Sequence, residues 1–334
     1  MKTIAIIGGG LSGLYAAQNL QNHNQIMLFE ARERLGGRIH AIQGLDLGPS
    51  WIWLHQTRML ALIRSLGLEI FMQYDKGAAL YETPHAVERF IPPASSPSAR
   101  IQGGIISLIE QLTKQLTATK VHLGETVISL HHRNDHIELN SAKQKYKFDE
   151  VIVTLPPRLA VSSLSCDPPL PAELQTRFAS TPTWMGNTAK CVIEFETPFW
   201  REMGLSGFCF SHAGPMREIH DACTKDRYAL FGFISANTLM DNIESLVRAQ
   251  LKNLFGHHVS RMTGFHYVDW RVEKFTSVAA DHIPLASHPQ YGLEAVHFDG
   301  RLKFIGTETS YDDGGYLEGA LASVERLYEN HRGS

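Results

Sequence analysis

Little in this sequence is in excess, and its shortages narrow the class. Cys166, Cys191, Cys209 and Cys223 are the four cysteines in 334 residues, too sparse and too far apart for a disulfide framework or a metal cluster, and they read as reduced packing residues. No stretch approaches the roughly 18 uninterrupted apolar residues of a membrane span. A net charge of -3 gives no basic surface for nucleic acid or an anionic membrane. No internal repeat is visible. The first apolar strand begins at Thr3, which leaves no room for a secretory leader. The expectation is a soluble cytoplasmic protein with a small-molecule partner. Histidine alone is plentiful, at 17, yet His131-His132 and His257-His258 are adjacent pairs that cannot converge on one ion from regular structure, so no metal site is expected. With 43% hydrophobic residues the chain can fill a sizeable core across about two domains.

What is present is concentrated at the N-terminus. Thr3 to Ile7 read as an apolar strand, Gly8-Gly9-Gly10-Leu11-Ser12-Gly13 as a tight turn, and Leu11, Leu14, Ala17 and Leu20 as the buried stripe of a helix. Gly8 permits the turn and Gly10 lets a diphosphate approach the backbone. Gly13 lets the helix lie against the strand, so that its unpaired N-H groups face the phosphates. A second strand over 26–29 ends in Glu30, placed for the ribose hydroxyls of an adenine dinucleotide.

The run Glu30-Ala31-Arg32-Glu33-Arg34-Leu35-Gly36-Gly37-Arg38 resembles the extension seen in flavoproteins of the amine oxidase superfamily. The resemblance implies FAD rather than NAD, with Gly36 and Gly37 letting main chain near the diphosphate and Arg38 supplying a fixed cation. Gly48-Pro49-Ser50-Trp51 resembles the segment that passes under the flavin ring, and by the same resemblance the backbone of Val127 meets the adenine. Residues 302–320 resemble the signature of flavin-containing monoamine and polyamine oxidases. That implies Gly306-Thr307-Glu308 and Gly315-Tyr316-Leu317 at the ribityl chain and the ring, where a helix N-terminus stabilises negative charge on the reduced flavin.

Residues 185–192, followed by Pro198-Phe199-Trp200, are similar to the monoamine oxidase segment whose lysine holds a water against flavin N5; here that lysine is Lys190. An unpaired ammonium in an apolar strand is costly, which favours a functional Lys190, although an edge strand with Lys190 facing water also accounts for it. Tyr316 reads as an aromatic wall for the substrate or as core packing at a helix start. Trp270 is similar in position to the tryptophan that walls the flavin. Lys190, Tyr316 and Trp270 are the catalytic candidates the resemblance implies.

Elsewhere Thr57 reads as the N-cap of a helix carrying Leu60, Ile63 and Leu66 and stopping at Gly67. Residues 76–100, with Pro84, Pro92, Pro93, Pro97 and Ser95, Ser96 and Ser98, read as a loop. A helix carries Ile105, Leu108, Ile109, Leu112 and Leu116, and strands follow over 121–123, 127–130, 137–139 and 151–155, the last ended by Pro156-Pro157. Further strands are expected over 188–195, 207–210, 228–234 and 302–305. One helix carries Leu239, Ile243, Leu246, Val247, Leu251 and Leu254, and a last one Leu317, Ala320, Leu321, Val324 and Leu327.

The expected fold is α/β: a discontinuous Rossmann-like FAD-binding domain, 1–75, 103–160 and 265–330, with a smaller mixed-sheet α+β substrate domain, 76–102 and 161–264. Two departures from the resemblance matter. Ser277-Val278-Ala279-Ala280-Asp281-His282 stands where many monoamine oxidases place a flavin-linking cysteine and a second cage tyrosine, which implies noncovalent FAD and, at Ala280, half a cage. The helical substrate subdomain is also mostly missing, which implies a wider pocket or one covered by another subunit of a homo-oligomer or a partner. The implied activity is oxidation of an amine to an imine with O2 reduced to H2O2. The rivals are a desaturase of C-C or ring bonds and a flavin-binding partner or sensor without turnover.

Overall fold

The computed structural model describes residues 1–93, 96–234, 241–293 and 295–332. Ser95 of the expected loop and Leu239 of the expected helix lie outside them. Thr3–Ile7 sits inside a six-stranded sheet, between Gln25–Phe29 and Glu150–Val153. Thr119–His122 lies outside the first of these, and Leu302–Phe304 then Ala295–His297 lie beyond the second. All pair in parallel except the edge strand Ala295–His297.

A parallel sheet must be covered on both faces, and the unbroken apolar run of Thr3–Ile7 serves both. Ile4 and Ile6 join Leu14 of the helix Leu11–Leu20, Leu108 of the helix Ile106–Gln115 and Leu321 of the helix Leu317–Arg332. Ala5 and Ile7 face the other way, into a cluster with Phe29, Leu130, Phe148 and Phe178. A four-stranded sheet, Lys145–Phe148, Ile137–Ser141, Val127–His132 and Ser165–Asp167, supplies part of that second layer.

The second large sheet has seven strands in the order Met262–Asp269, Ala189–Phe195, Tyr228–Ile234, Met216–Asp221, Leu205–Ser211, Ala78–Glu82 and Val87–Phe90. Alternation along Ala189–Phe195 sets its two faces. Ala189, Cys191, Ile193 and Phe195 enter a core with Val247, Leu251 and Phe255 of the helix Ile243–Phe255. Val192 and Phe231, on the opposite face, pack on Leu45 and Leu47. This mixed α/β architecture agrees with the expected fold class.

Three local expectations are corrected. Residues 76–100 are not a loop: Ala78–Glu82 and Val87–Phe90 form an antiparallel hairpin, and Ser98–Ile101 pairs with Ile52–Trp53 and Ile70–Met72. Exposed Glu88 and Arg89 on the outermost strand erase the apolar alternation that would have announced it. Pro157 does more than end a strand; it is the first residue of the helix Pro157–Ser163, where its missing N-H costs nothing. Thr57 is exposed and caps nothing, for the helix Thr57–Ser65 begins after Gln56. Its free N-H groups are taken by buried Glu318 instead, whose carboxylate accepts from Arg58 N at 3.0 Å and Met59 N at 2.8 Å.

That tertiary cap yields a stability expectation. Glu318→Ala should cost about 1–2 kcal/mol, the usual range for a lost helix cap, with Glu318→Gln retaining part of it. Urea midpoints of the flavin-free protein check this; an unchanged midpoint would mean that the helix start needs no cap.

Candidate active site

The strand, turn and helix at the N-terminus open one end of a single cavity of about 680 Å³. Gly8 adopts φ +110°, and a Cβ on Gly13 would collide with the carbonyl oxygen of Gly8, so glycine at both positions is what lets helix and strand meet. Gly10 precedes the helix without a side-chain cap, and nothing lies within 4 Å of where its Cβ would be. Gly8, Gly10, Leu11 and Ser12 line the cavity, so donors at a helix N-terminus face open space, the arrangement that binds diphosphate. Gly13 does not line it and acts from behind. Glu30 is buried at the same end. Its Oε2 accepts from Gly9 N and its Oε1 from Arg32 N, which fixes the carboxylate while leaving lone pairs for ribose hydroxyls.

Arg32, Gly36, Gly37 and Arg38 continue the wall. Arg38 on that wall is held by a carboxylate the sequence did not pair with it. Its guanidinium grips Glu308 in a two-pronged pair, with Nη2 to Oε2 at 3.0 Å. Burial works against the Arg38 charge, yet the Glu308 carboxylate outweighs it and raises the pKa. Trp184 closes the same knot, its carbonyl accepting from Arg38 and its N-H donating to Glu308. Ala31, Gly306 and Glu308 are absent from the cavity wall, as is Val127, whose side chain belongs to the apolar cluster of Phe29 and Phe148.

At the other end Gly48, Pro49, Ser50, Trp51, Lys190 and Trp270 meet Thr307, Gly315, Tyr316 and Leu317. Lys190 is 2% exposed on an interior strand, between Met262–Asp269 and Tyr228–Ile234, which rules out an edge lysine facing water. Its Nζ donates to Gly48 O at 2.8 Å and to Ser50 Oγ, and lies 4.0 Å from the centre of the Phe231 ring. Burial pulls its pKa down to about 7, with nearby Asp46 opposing and Arg100 adding to the fall. Asp46 is pushed up to about 6 by its own burial, against Arg100 and Lys190. Trp270 is anchored by Nε1 donating to Leu47 O at 3.0 Å.

Tyr316 has aromatic neighbours the sequence did not single out. Its ring stacks on His288 at 5.1 Å and meets Trp53 edge-on at 5.5 Å, and burial raises its pKa. Trp53, Trp184, Met185, Asn187, Phe233, Arg217 and Glu218 also line the cavity. Met185 lies inside the segment that carried Lys190 and Trp184 directly before it, so pattern alone could have found them. Arg217 and Glu218 lie on a strand the sequence reading missed. Ala280 lies off the wall, its carbonyl taking a hydrogen bond from Arg158. The α-helix residues on the wall are Leu11, Ser12, Leu317 and Ala320, all at helix starts; strands, loops and Thr307, which opens a 3-10 turn, form the rest.

An uncapped helix start over a glycine turn, a fixed buried carboxylate and a buried amine among aromatic rings share one cavity, and comparison with known proteins makes the chain a flavin-dependent oxidoreductase. The chain belongs to the flavin containing amine oxidoreductase family, whose model matches residues 11–94 and 81–326. It is 22% identical to amine oxidase [flavin-containing] B of Sus scrofa over 443 aligned residues, covering 97% of this chain and 84% of that protein. That alignment is longer than the 334 residues here, so the relative carries insertions this chain lacks. It is 23% identical to the L-amino acid dehydrogenase of Synechocystis sp., over 96% of this chain and 92% of that one. Among solved structures, putrescine oxidase bound to putrescine superposes with a TM-score of 0.82 at 19% identity, covering 100% of this chain and 99% of that one. Cyclohexylamine oxidase from Brevibacterium oxydans IH-35A gives 0.82 at 18% identity, covering 98% of each. Among the described residues no helix is long and apolar enough to cross a membrane.

Lys190 carries the pH expectation. Unfolded, its amine keeps a proton up to its ordinary 10.5; folded, it releases that proton near 7. Between those values the unfolded chain binds more protons, so this group makes stability rise with pH through that window. Lys190→Met should remove the rise: from pH 7 to 10 wild type gains stability relative to the variant. Urea midpoints of the two flavin-free proteins across that range check it, and parallel curves would put the proton elsewhere.

Proposed function

We propose that the cavity holds one FAD noncovalently and oxidises an amine to an imine. The observation that carries this is Lys190, a buried amine on the cavity wall held by Gly48 O and Ser50 between aromatic rings. When bound, FAD supplies the two-electron chemistry, accepting a hydride equivalent from the carbon bearing the amine and passing the electrons to O2 as H2O2. The residues do the rest. Gly8, Gly10, Leu11 and Ser12 receive the diphosphate and Glu30 the ribose, while Gly48 to Trp51 and Gly315 to Leu317 flank the ring end.

Lys190, with a pKa near neutrality, can donate and accept a hydrogen bond and so hold a water at the reactive edge. The walls of Trp51, Phe233, Trp270 and Tyr316 disfavour an ammonium ion and so favour the neutral amine that reacts. Glu30 is engaged by backbone N-H groups at the diphosphate end of the cavity, away from Lys190. Noncovalent attachment is supported by a wall without cysteine among the described residues. Residues 1–75, 103–160 and 265–330 are proposed to bind the cofactor, and 76–102 with 161–264 the substrate. The four free thiols suit a cytoplasmic location.

Anaerobic mixing of the flavin-loaded protein with a panel of primary amines should bleach the flavin, and admitting air should restore the colour with release of peroxide. Lys190→Met should slow reduction or reoxidation by on the order of a hundredfold while FAD stays bound. A flavin reduced by polyenes but not amines would make the protein a desaturase. A flavin reduced by neither would make it a binding protein.

A further inference from the structure

One stretch of the cavity wall has no regular structure and runs from one end of the space to the other. Trp270 stands on the wall at the Lys190 end, and Phe275 and Thr276 stand on it at the end of Glu30 and Arg32. This stretch joins the strand Met262–Asp269 to the short 3-10 helix Ala279–His282 and is itself neither helix nor strand. Its two ends are pinned to main chain. Trp270 donates through its backbone N to Thr188 O at 3.2 Å and through Nε1 to Leu47 O at 3.0 Å, and Ser277 Oγ donates to Gly186 O at 3.0 Å.

Between those pins the stretch is fastened by Arg32. Arg32 Nη2 donates to Thr276 Oγ1 at 2.8 Å, its Cζ lies 5.5 Å from the centre of the Phe275 ring, and its Nε lies 3.5 Å from Glu273 Oε2. Nη1 of the same guanidinium is 3.5 Å from Glu30 Oε1, so one side chain ties the stretch to the fixed carboxylate of the glycine-turn end. Glu273 is off the wall yet shapes the turn: its Oε1 accepts from Phe275 N at 3.3 Å, and its carbonyl oxygen accepts from Thr276 N and Ser277 N. The fastening is light. Arg32 Nε is buried without a hydrogen bond, its ion pair is long, and the Glu273 side chain is 28% exposed, where water screens a charge pair. Val272 and Lys274 are exposed. Pinned ends with a light fastening between them are the features of an element that opens locally.

Resting on the FAD reading, we propose that residues 270–277 are a strap that lifts to admit and release the cofactor, with Arg32 as its latch and Glu273 as the residue that positions the latch. Closed, the strap puts Phe275 and Thr276 on the wall at the Glu30 end. Breaking the Arg32 contacts to Thr276 and Glu273 lets it swing on its pinned ends and opens that end to solvent. A gate differs from a mere contact in its kinetics. Loosening a gate raises the open fraction and so speeds uptake and release together, whereas deleting a contact speeds release alone.

The test follows FAD uptake by the flavin-free protein and FAD release from the loaded protein, both by stopped-flow flavin fluorescence. Wild type is compared with Glu273→Gln and with Thr276→Val, which nearly keeps the volume of threonine and deletes the hydroxyl that Arg32 binds. Each variant should take up and release FAD about fivefold faster, with Kd moving less than either rate. Thr276→Ser, which keeps the hydroxyl, should restore the wild-type rates. Faster release with unchanged uptake, or both rates unchanged, overturns the strap and leaves the FAD reading standing. Failure of wild type to take up FAD overturns both.

Discussion

The structure depends on backbone meeting backbone where no side chain fits. Gly13 lies against the carbonyl of Gly8, and Gly48 against the carbonyl of Arg38, each so closely that a Cβ would strike the oxygen. The first contact seats the helix Leu11–Leu20 on the strand Thr3–Ile7, which aims an uncapped helix start at the cavity. The second presses the Gly48 segment against the chain following Gly37, so that Pro49, Ser50 and Trp51 reach the other end of the same space. Unmet N-H donors at a helix start cost free energy unless water or a ligand takes them. On the proposed reading the diphosphate takes these donors.

Lys190 links this cradle to the second sheet. An ammonium buried in an apolar strand costs several kcal/mol unless it is neutralised or paired, and here both remedies operate. Its pKa falls to about 7, and its N-H groups find Gly48 O and Ser50 Oγ, on a segment 140 residues away in sequence. The same contact that makes the amine tolerable also brings it to the ring end of the cavity. Buried Asp46 and Arg100, with Asp46 Oδ2 3.8 Å from Arg100 Nη2, form a second charged layer behind it. Burial chiefly sets the proton affinity of Lys190, and Asp46 and Arg100, which never touch the cavity wall, adjust it.

What the sequence made legible was local. Thr3–Ile7, its helix and the strand Tyr228–Ile234 follow from short-range apolar periodicity, and the burial of Lys190 follows from the uniformly apolar residues beside it. What stayed hidden was set by distant partners. Nothing near Arg38 announces Glu308, 270 residues on, and nothing near Thr57 announces that Glu318 will cap its helix. The hairpin from Ala78 to Phe90 was obscured because its outer strand exposes charge, and Glu218 because its strand alternates charged with apolar residues around a bulge. Resemblance to a family named many of the residues that meet on one cavity wall, but the rings around Tyr316, from Trp53 and His288, came only with the fold.

With α-helices touching the cavity only at their starts, the site is a cleft between two sheets, which on the proposed reading holds one FAD noncovalently. Titration of the flavin-free protein with FAD tests this most directly, followed by flavin fluorescence and by acid precipitation of the saturated protein. One FAD per chain, quenched on binding and released intact into the acid supernatant, is the expected result. No uptake, or a flavin that stays with the precipitate, would contradict it.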